Sequence, residues 1–312
     1  MVTSPLSDHP GWSSVFRLDT LTFGIIGPIE GYPDTIGPRM ESQDRLARKA
    51  ETAGFASLWL RDVPFEDPTF GDLGQVYDPM VYAGWLAAQT SKIAIGTAGI
   101  VAPLRNPVDI AKQAASLDRL TQSRFILGLS SGDRAAEYPA FNIAYEERAA
   151  RFREAHEMIK TLTRRSYPQM HTEHFGQLHG ALDLVPKPSR SLPMIAVGRA
   201  GQSVDWLGTH MDAWIWHFSD PGYLPKIISD WRRHAGTRPY GYGSFFALDP
   251  DPNASLQLGG MLSGGRKALT EFWLRQRDQG VAHVALNLKP MRRPASEMLE
   301  EFGEHIIPRL LS

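Results

Sequence analysis

The sequence predicts an α/β fold, a closed (β/α)8 or TIM barrel, forming a single domain with insertions at its C-terminal face. Eight short apolar runs recur along the chain, and segments with the helical period separate them. Most of these runs are apolar throughout, as parallel strands covered on both faces require. Eight such units in about 290 residues match the barrel in count and size. We therefore expect an N-terminal extension over 1–20 and a barrel over 21–312.

The strands follow from the apolar runs in chain order. They are Leu21–Ile26, Phe55–Leu60, Lys92–Val101, Arg124–Leu129, Met194–Val197, Ala213–Phe218, Ser244–Leu248 and Val281–Leu288. Periodicity does not reveal whether a sheet closes, so an open doubly wound sheet is the alternative. That fold would place a G-x-G-x-x-G turn after the first strand, where this chain reads GPIEGY. The closed barrel is therefore favoured.

The helices follow from capping signals and apolar stripes. Asn106 can cap a helix, Pro107 suits its first position, and Asp109 favours the positive end of the helix dipole. The predicted buried stripes are Ile110, Ala114 and Leu117, then Phe152, Ala155, Ile159 and Leu162, and finally Leu299, Phe302, Ile306 and Leu310. Helices thus alternate with strands to the end of the chain.

Composition excludes several classes of function. The 33 basic and 34 acidic residues leave a formal charge of -1, so no charge excess favours nucleic acid. The absence of cysteine excludes disulfides, thiolate metal sites and thiol nucleophiles. The chain shows neither a signal-peptide pattern at its start nor an apolar run near the roughly 18 residues of a membrane span. We expect a cytoplasmic protein that does not bind membranes.

Small residues follow the fifth strand, at the end of the barrel where active sites form. Gly198 and Gly201 would let backbone N–H groups approach an anion, and Ser203 would add a hydroxyl near the following helix. A phosphate would fit there, although the glycines could equally serve a tight turn.

Charged and aromatic residues follow the second and sixth strands. Arg61 and Asp62 are either a salt-bridged pair or, beside a cofactor, candidates for oxyanion stabilisation and proton transfer. His217 ends the sixth strand after Trp214 and Trp216, where it is a buried core histidine or a catalytic one.

Two other motifs favour structural interpretations. His171, His174 and His179 lack a period that would bring them to one face, so we expect a polar surface loop and no metal site. The glycine cluster over 259–267 departs from the P-loop pattern and is interpreted as a flexible connection.

Several segments together resemble the bacterial luciferase-like, flavin-dependent monooxygenases. The resemblance is carried by S-x-I-x-x-G-T in the third strand, PLRNP leading into AKQAASLDRLT, RFILGLSSG in the fourth strand, and PMIAVGRAGQSVDWLGTHMDAWIW. It implies the barrel and a bound FMN or the deazaflavin F420.

The resemblance also implies site residues. The flavin ring would lie against the third strand at Thr97, Ala98 and Gly99, where family members commonly have a non-prolyl cis peptide. The phosphate would be held by Ser131, Gly198, Arg199, Ala200, Gly201 and Ser203. Trp216 would line the pyrimidine side of the ring.

This chain departs from the family at the end of the second strand, where many members carry a histidine. Arg61 and Asp62 stand there, so Asp62 is the first candidate for acid–base catalysis and His217 the second.

The resemblance implies an FMN-dependent monooxygenase that uses O2 on a small organic substrate, with reduced flavin supplied by a separate reductase. An F420-dependent reductase or dehydrogenase, or a flavin-binding barrel without turnover, are the alternatives. Family members often form homodimers, so a homodimer is expected, although no helix shows an apolar stripe assignable to an interface.

Overall fold

The computed structural model describes residues 6–218 and 220–311 as a closed barrel of eight parallel strands, which confirms the predicted fold. The barrel strands are Thr22–Ile26 (β1), Ser57–Leu60 (β2), Ala94–Thr97 (β3), Phe125–Ser130 (β4), Met194–Val197 (β5), Ala213–His217 (β6), Tyr240–Leu248 (β7) and His283–Asn287 (β8). Each strand pairs in parallel with the next, and β8 pairs with β1 from Thr22↔His283 onwards, which closes the ring.

Helices surround the barrel. They are Pro10–Val15 (α1), Gln43–Ala53 (α2), Pro79–Gln89 (α3), Pro107–Leu120 (α4), Arg148–Arg164 (α5), Val204–His210 (α6), Leu224–Ala235 (α7), Arg266–Gln279 (α8), Ala295–Glu301 (α9) and Ile307–Leu310 (α10). A π-helical turn over Phe302–Ile306 joins α9 to α10. As predicted, Asn106 caps α4 by accepting a hydrogen bond from the Val108 N–H, and every residue of the predicted apolar stripes is buried. These stripes fill the layer between strands and helices.

The third strand is shorter than predicted. After β3, a cis peptide joins Ala98 to Gly99, and a second short strand, Ile100–Val101, pairs with the end of β4. The apolar run therefore pairs with β4 both before and after the cis peptide, and its composition does not indicate this interruption.

The seventh strand begins at Tyr240, before the predicted start at Ser244. Glycine is disfavoured in strands, so the GYG stretch gave no strand signal. A Cβ atom on Gly241 would lie only 2.6 Å from the His283 carbonyl oxygen, so glycine permits the close pairing with β8.

Trp59 fills the centre of the barrel. Its indole occupies space that side chains on β1 and β3 would otherwise take, because a Cβ atom on Gly24 would lie 2.7 Å from Trp59 Nε1 and one on Gly96 would lie 2.2 Å from the ring. Trp59 Nε1 donates to His283 Nε2 at 2.9 Å, and His283 Nδ1 lies 2.7 Å from Thr22 Oγ1. The interior is thus a satisfied polar network inside an apolar shell.

Helix α1 packs across the amino-terminal end of the barrel. Trp12, Val15 and Phe16 are buried against the interior side chains of the strands, in one cluster with Trp59. Of the predicted extension over 1–20, residues 1–5 lie outside the described residues.

Two β-hairpins extend from the barrel. Gln169–His171 and Gln177–His179 form one at the surface. Gln257–Gly259 and Met261–Gly264 form the other, whose second strand pairs in parallel with the end of β7. The glycine cluster, interpreted from the sequence as a flexible connection, contains the turn and second strand of this hairpin. No helix in the described part of the chain has the length and apolar character needed to cross a bilayer.

Candidate active site

A cavity of about 1340 Å³ opens at the carboxyl-terminal end of the barrel, where the fold predicts the site. Trp59 lines its inner end, and the hairpin after β7 reaches it through Leu258 and Met261. Ten of the sequence-predicted residues line this cavity: Arg61, Asp62, Ala98, Gly99, Ser131, Gly198, Arg199, Ala200, Trp216 and His217. Thr97, Gly201 and Ser203 do not line it.

The turn after β3 forms one wall through the cis-linked Ala98 and Gly99. Thr97 instead serves the barrel, because its buried Oγ1 donates to the Gly128 carbonyl at 2.8 Å and accepts from the Gly128 N–H at 2.9 Å. Thr97 therefore fastens β3 to β4 immediately beneath this wall.

Three groups suited to an anion face the cavity after β4 and β5. Gly198 has φ +70, and a Cβ atom there would meet nothing within 4 Å, so open space adjoins its backbone. Arg199 donates to the Gln202 carbonyl and has no carboxylate within ion-pair distance among residues 6–218 and 220–311. Ser131 is buried at the edge of the cavity, where its hydroxyl makes no hydrogen bond to another described residue.

The remaining residues of the predicted phosphate set hold the turn itself. Ser203 caps α6, because its Oγ accepts from the Trp206 N–H at 3.2 Å. Gly201 has φ +68, and its Cβ position faces Ala149 on the neighbouring helix. Gly201 thus serves a tight turn and does not face the cavity, whereas Gly198 both forms a turn and lines the cavity.

Trp216 and His217 form the wall at the end of β6. The Trp216 ring stacks on Trp214, with ring centroids 5.1 Å apart, and the Arg199 guanidinium lies 5.7 Å from the Trp216 centroid. His217 faces the cavity and so is not a buried core histidine. Partial burial lowers the pKa of His217, which favours its neutral form near pH 7.

Arg61 and Asp62 bind different partners and not each other. Arg61 forms a bidentate ion pair with Asp72, with N–O distances of 2.8 and 3.0 Å, and this pair ties β2 to the loop over 63–78. Burial acts to raise the pKa of the Asp72 carboxyl, but the paired Arg61, with hydrogen bonds from Tyr32 and the Gly74 N–H, outweighs burial and lowers it.

Asp62 is held by Arg105 and by the backbone of Val101. Its Oδ2 accepts from Arg105 Nε at 2.8 Å and from the Val101 N–H at 3.0 Å, and its Oδ1 accepts from Arg105 Nη2 at 2.5 Å. Arg105 also reaches Asp78, which caps α3. Both carboxylate oxygens of Asp62 are therefore engaged within the protein.

Arg134 and Glu137 are charged lining residues to which the sequence reasoning gave no role. Arg134 donates to the carbonyls of Phe65 and Asp72, so it fastens the loop over 63–78 to the turn after β4. Glu137 lies in the 3-10 helix Ala135–Phe141 and is only 5% exposed. The single signal in the sequence was an acidic residue within the otherwise apolar stretch AAEYPAF.

The histidine-rich segment lies away from the cavity. His171 and His179 stand in the surface hairpin, and His174 pairs with Glu154 at 3.1 Å. Glu154 and Glu173 are the carboxylates that approach His174, and Glu154 already accepts two backbone N–H groups. The absence of a metal site stays a prediction.

Residues 21–256 match the sequence profile of the luciferase-like monooxygenases. The alkanal monooxygenase alpha chain of Photorhabdus luminescens is 27% identical over 167 residues, which are 53% of this chain and 44% of that one. An F420-dependent glucose-6-phosphate dehydrogenase of Kineococcus radiotolerans is 33% identical over 161 residues, 50% of this chain and 46% of that one.

Solved structures share the fold. An F420-dependent secondary alcohol dehydrogenase superposes with a TM-score of 0.75 at 19% identity, covering 93% of this chain and 98% of that one. With a barrel of the same kind and a profile match over most of its length, the chain belongs to the luciferase-like monooxygenase family. Relatives in this family include monooxygenases and F420-dependent oxidoreductases.

Proposed function

We propose that this protein is an FMN-dependent monooxygenase that acts on a small organic substrate with O2. The observation that carries the proposal is the grouping of an open glycine turn, a serine hydroxyl and an arginine without a carboxylate partner on one side of a large cavity in the described structure. Such a grouping suits a phosphate at the end of a flat cofactor.

The residues present fit a flavin. Ser131, Gly198 and Arg199 would hold its phosphate, Ala98 and Gly99 would contact its ring, and Trp216 and Ala200 would complete the pocket. Bound reduced FMN would supply the electrons that activate O2. In this proposal, the cofactor does not contact Thr97, Gly201 or Ser203. These three residues stabilise the strands and turns that carry the residues in contact with it.

The chain itself would exclude water and manage protons. Apolar side chains of Phe70, Phe245, Leu258 and Met261 line the outer cavity and would shield the reacting atoms from bulk water. We assign proton transfer to the neutral imidazole of His217, because Asp62 is already engaged by Arg105. Arg61 and Asp62 then act as positioning residues for the turns that follow β2.

F420-dependent hydride transfer is the second candidate. The 33% identical relative and the structure with a TM-score of 0.75 are both F420-dependent enzymes by name. Hydride transfer would need the same cavity and the same proton-handling residue, but it would not use O2.

Cofactor titration tests the proposal. We expect FMN to quench the tryptophan fluorescence of the cofactor-free protein with saturation, and we expect Arg199→Ala to weaken FMN binding by about tenfold or more. Riboflavin lacks the phosphate, so Arg199→Ala should leave its affinity unchanged. Arg190→Ala, at a half-exposed surface arginine paired with Asp8, is the matched control. Saturable binding of F420 without FMN binding would favour the second candidate, and binding of neither would refute both.

Oxygen uptake tests turnover. With a flavin reductase and NADH supplying reduced FMN, we expect substrate-dependent O2 consumption across a panel of aldehydes, ketones, alkanes and sulfonates. His217→Gln should lower the rate while FMN affinity is retained. Flavin binding with no consumption on any substrate would instead indicate a barrel without turnover. We likewise propose a cytoplasmic location, a separate flavin reductase and a homodimer.

A further inference from the structure

Glu137 is a buried carboxyl group on the cavity for which the proposed chemistry has no use. The residue is 5% exposed and lines the cavity from the 3-10 helix after β4. Its Oε1 is inaccessible to solvent and has no hydrogen-bond partner, and neither oxygen accepts a hydrogen bond from another described residue. Burying a carboxyl group without hydrogen bonds is costly, so a substrate group that forms a hydrogen bond with the Glu137 carboxyl from the cavity would offset part of that cost.

The neighbouring arginine forms an ion pair with Glu137 but no hydrogen bond. Arg134 Nη1 lies 3.8 Å from Glu137 Oε1, beyond hydrogen-bond distance, because its guanidinium donates to the carbonyls of Phe65 and Asp72 and lies over the Phe70 ring. Arg134 is thus committed to the loop over 63–78.

Burial favours the neutral form of Glu137. Burial raises the pKa of Glu137; Arg134 opposes that shift, while Asp62, Asp133 and Asp67 add to it. A protonated carboxyl group has one O–H donor and keeps acceptor capacity. It can therefore bind an uncharged oxygen-containing group, whereas Arg134 disfavours a cation in the same place.

We propose that Glu137 is a substrate-binding residue whose carboxyl group donates a hydrogen bond to the carbonyl or hydroxyl oxygen of a neutral, otherwise apolar substrate. Phe70 and Val101 line the cavity with Glu137 and suit the apolar body of such a molecule. This proposal rests on the proposed function in one respect: it places the substrate in the same cavity as the cofactor.

Four probes with one carbon skeleton test the preference: acetophenone, 1-phenylethanol, ethylbenzene and 1-phenylethylamine. Their dissociation constants are measured by ligand-detected NMR, with and without saturating oxidised FMN. For the wild type we expect both oxygen-containing probes to bind about tenfold more tightly than ethylbenzene, as one net hydrogen bond of about 1.4 kcal/mol requires. The amine should bind no better than ethylbenzene.

Two substitutions assign the preference to Glu137. Glu137→Gln keeps a donor and an acceptor and should retain the preference, whereas Glu137→Leu should reduce it to within about twofold. Glu146→Leu, at an exposed acidic residue of the next 3-10 helix, is the matched control. A preference that survives Glu137→Leu, or tightest binding of the amine, would overturn the proposal.

A spectroscopic measurement covers the case in which Glu137→Leu does not fold. The carbonyl stretch of isotope-labelled acetophenone should shift to lower frequency when bound to the wild type, and the shift should shrink in Glu137→Gln because an amide is a weaker donor. Equal shifts in the two proteins would refute the proposal. Because probe binding is also measured without cofactor, failure of FMN and F420 to bind would refute the proposed function alone.

Discussion

His283 stands at the centre of the barrel as a neutral imidazole. Burial lowers its pKa to about 3, and Trp59 Nε1 donates to its Nε2, which must therefore carry no proton. Protonation would set two donors against each other at 2.9 Å. Acidification should thus destabilise the protein through this residue.

The sign of this effect follows from proton binding. Between pH 3 and the ordinary histidine pKa near 6.5, the unfolded state binds a proton that the native state does not, so the free energy of unfolding falls as pH falls. We expect His283 to contribute about 1.4 kcal/mol per pH unit in that window. In urea denaturation from pH 7 to 4, His283→Gln should show a shallower dependence by that amount.

His156, whose pKa burial also lowers to about 3, will keep contributing to the slope in both proteins. His305→Gln, at an exposed histidine, should leave the wild-type slope unchanged. Parallel slopes for the wild type and His283→Gln would contradict the assignment of a neutral buried His283.

The ion pair between Asp62 and Arg105 should contribute to stability. The Asp62 side chain is 3% exposed, so Arg105→Met would leave a buried carboxylate whose remaining hydrogen bond comes from Val101. We expect this change to lower the free energy of unfolding by about 3 kcal/mol. Adding Asp62→Asn should restore part of the loss, as a double-mutant cycle in urea would measure. Additive losses would show that the pair is not coupled.

Ten of the thirteen site residues predicted from the sequence line the cavity, because strand ends in a barrel converge on one face. The sequence could not predict their partners. The fold brings Asp72 to Arg61, Arg105 to Asp62, and Arg134 to the Asp72 carbonyl. No spacing along the chain indicates these contacts. Glu137 was not predicted for the same reason, because the sequence does not show that its carboxyl group is buried with an oxygen that makes no hydrogen bond.

At the scale of elements, α1 is an integral part of the barrel core. Trp12 is 5% exposed and packs with Val15 and Phe16 beneath the interior strands. We expect Trp12→Ala to lower the free energy of unfolding by about 3–5 kcal/mol, as other large-to-small core changes do. Leu18→Ala, six positions along at an 87% exposed residue, should change it by less than about 0.5 kcal/mol. Equal, small effects in thermal or urea unfolding would show that α1 is dispensable.

Strands were predicted correctly where a run of apolar residues marks a buried segment. They were missed where a strand depends on close contact between two backbones. The runs of β4, β5 and β8 are largely apolar, and the prediction found their ends to within two residues. The start of β7 was missed because Gly241 is there for its contact with the His283 backbone. The interruption after β3 was not marked by composition; only the resemblance to the family implied a cis peptide there, and the structure has it at Ala98–Gly99.

At the scale of the whole molecule, α3 offers the exposed apolar face that the sequence did not reveal. Val81 is 73% exposed and Trp85 is 42% exposed one turn later, where Trp85 stacks on Tyr82. If the protein is a homodimer, this face is our candidate interface. Light scattering should then give a dimer for the wild type and a monomer for Val81→Glu. Leu182→Glu, at another exposed apolar residue, should remain dimeric. A monomeric wild type would refute the homodimer.

The pairing of β1 with β8 has a consequence for biosynthesis. Thr22 and His283, which are hydrogen-bonded partners across this seam, are 261 residues apart. A ribosome must therefore release the chain as far as His283 before the first strand can meet its second neighbour, and until then two strand edges stay open to other chains. Nascent chains stalled before His283 should depend on chaperones and aggregate without them, whereas the completed cylinder exposes neither of those edges.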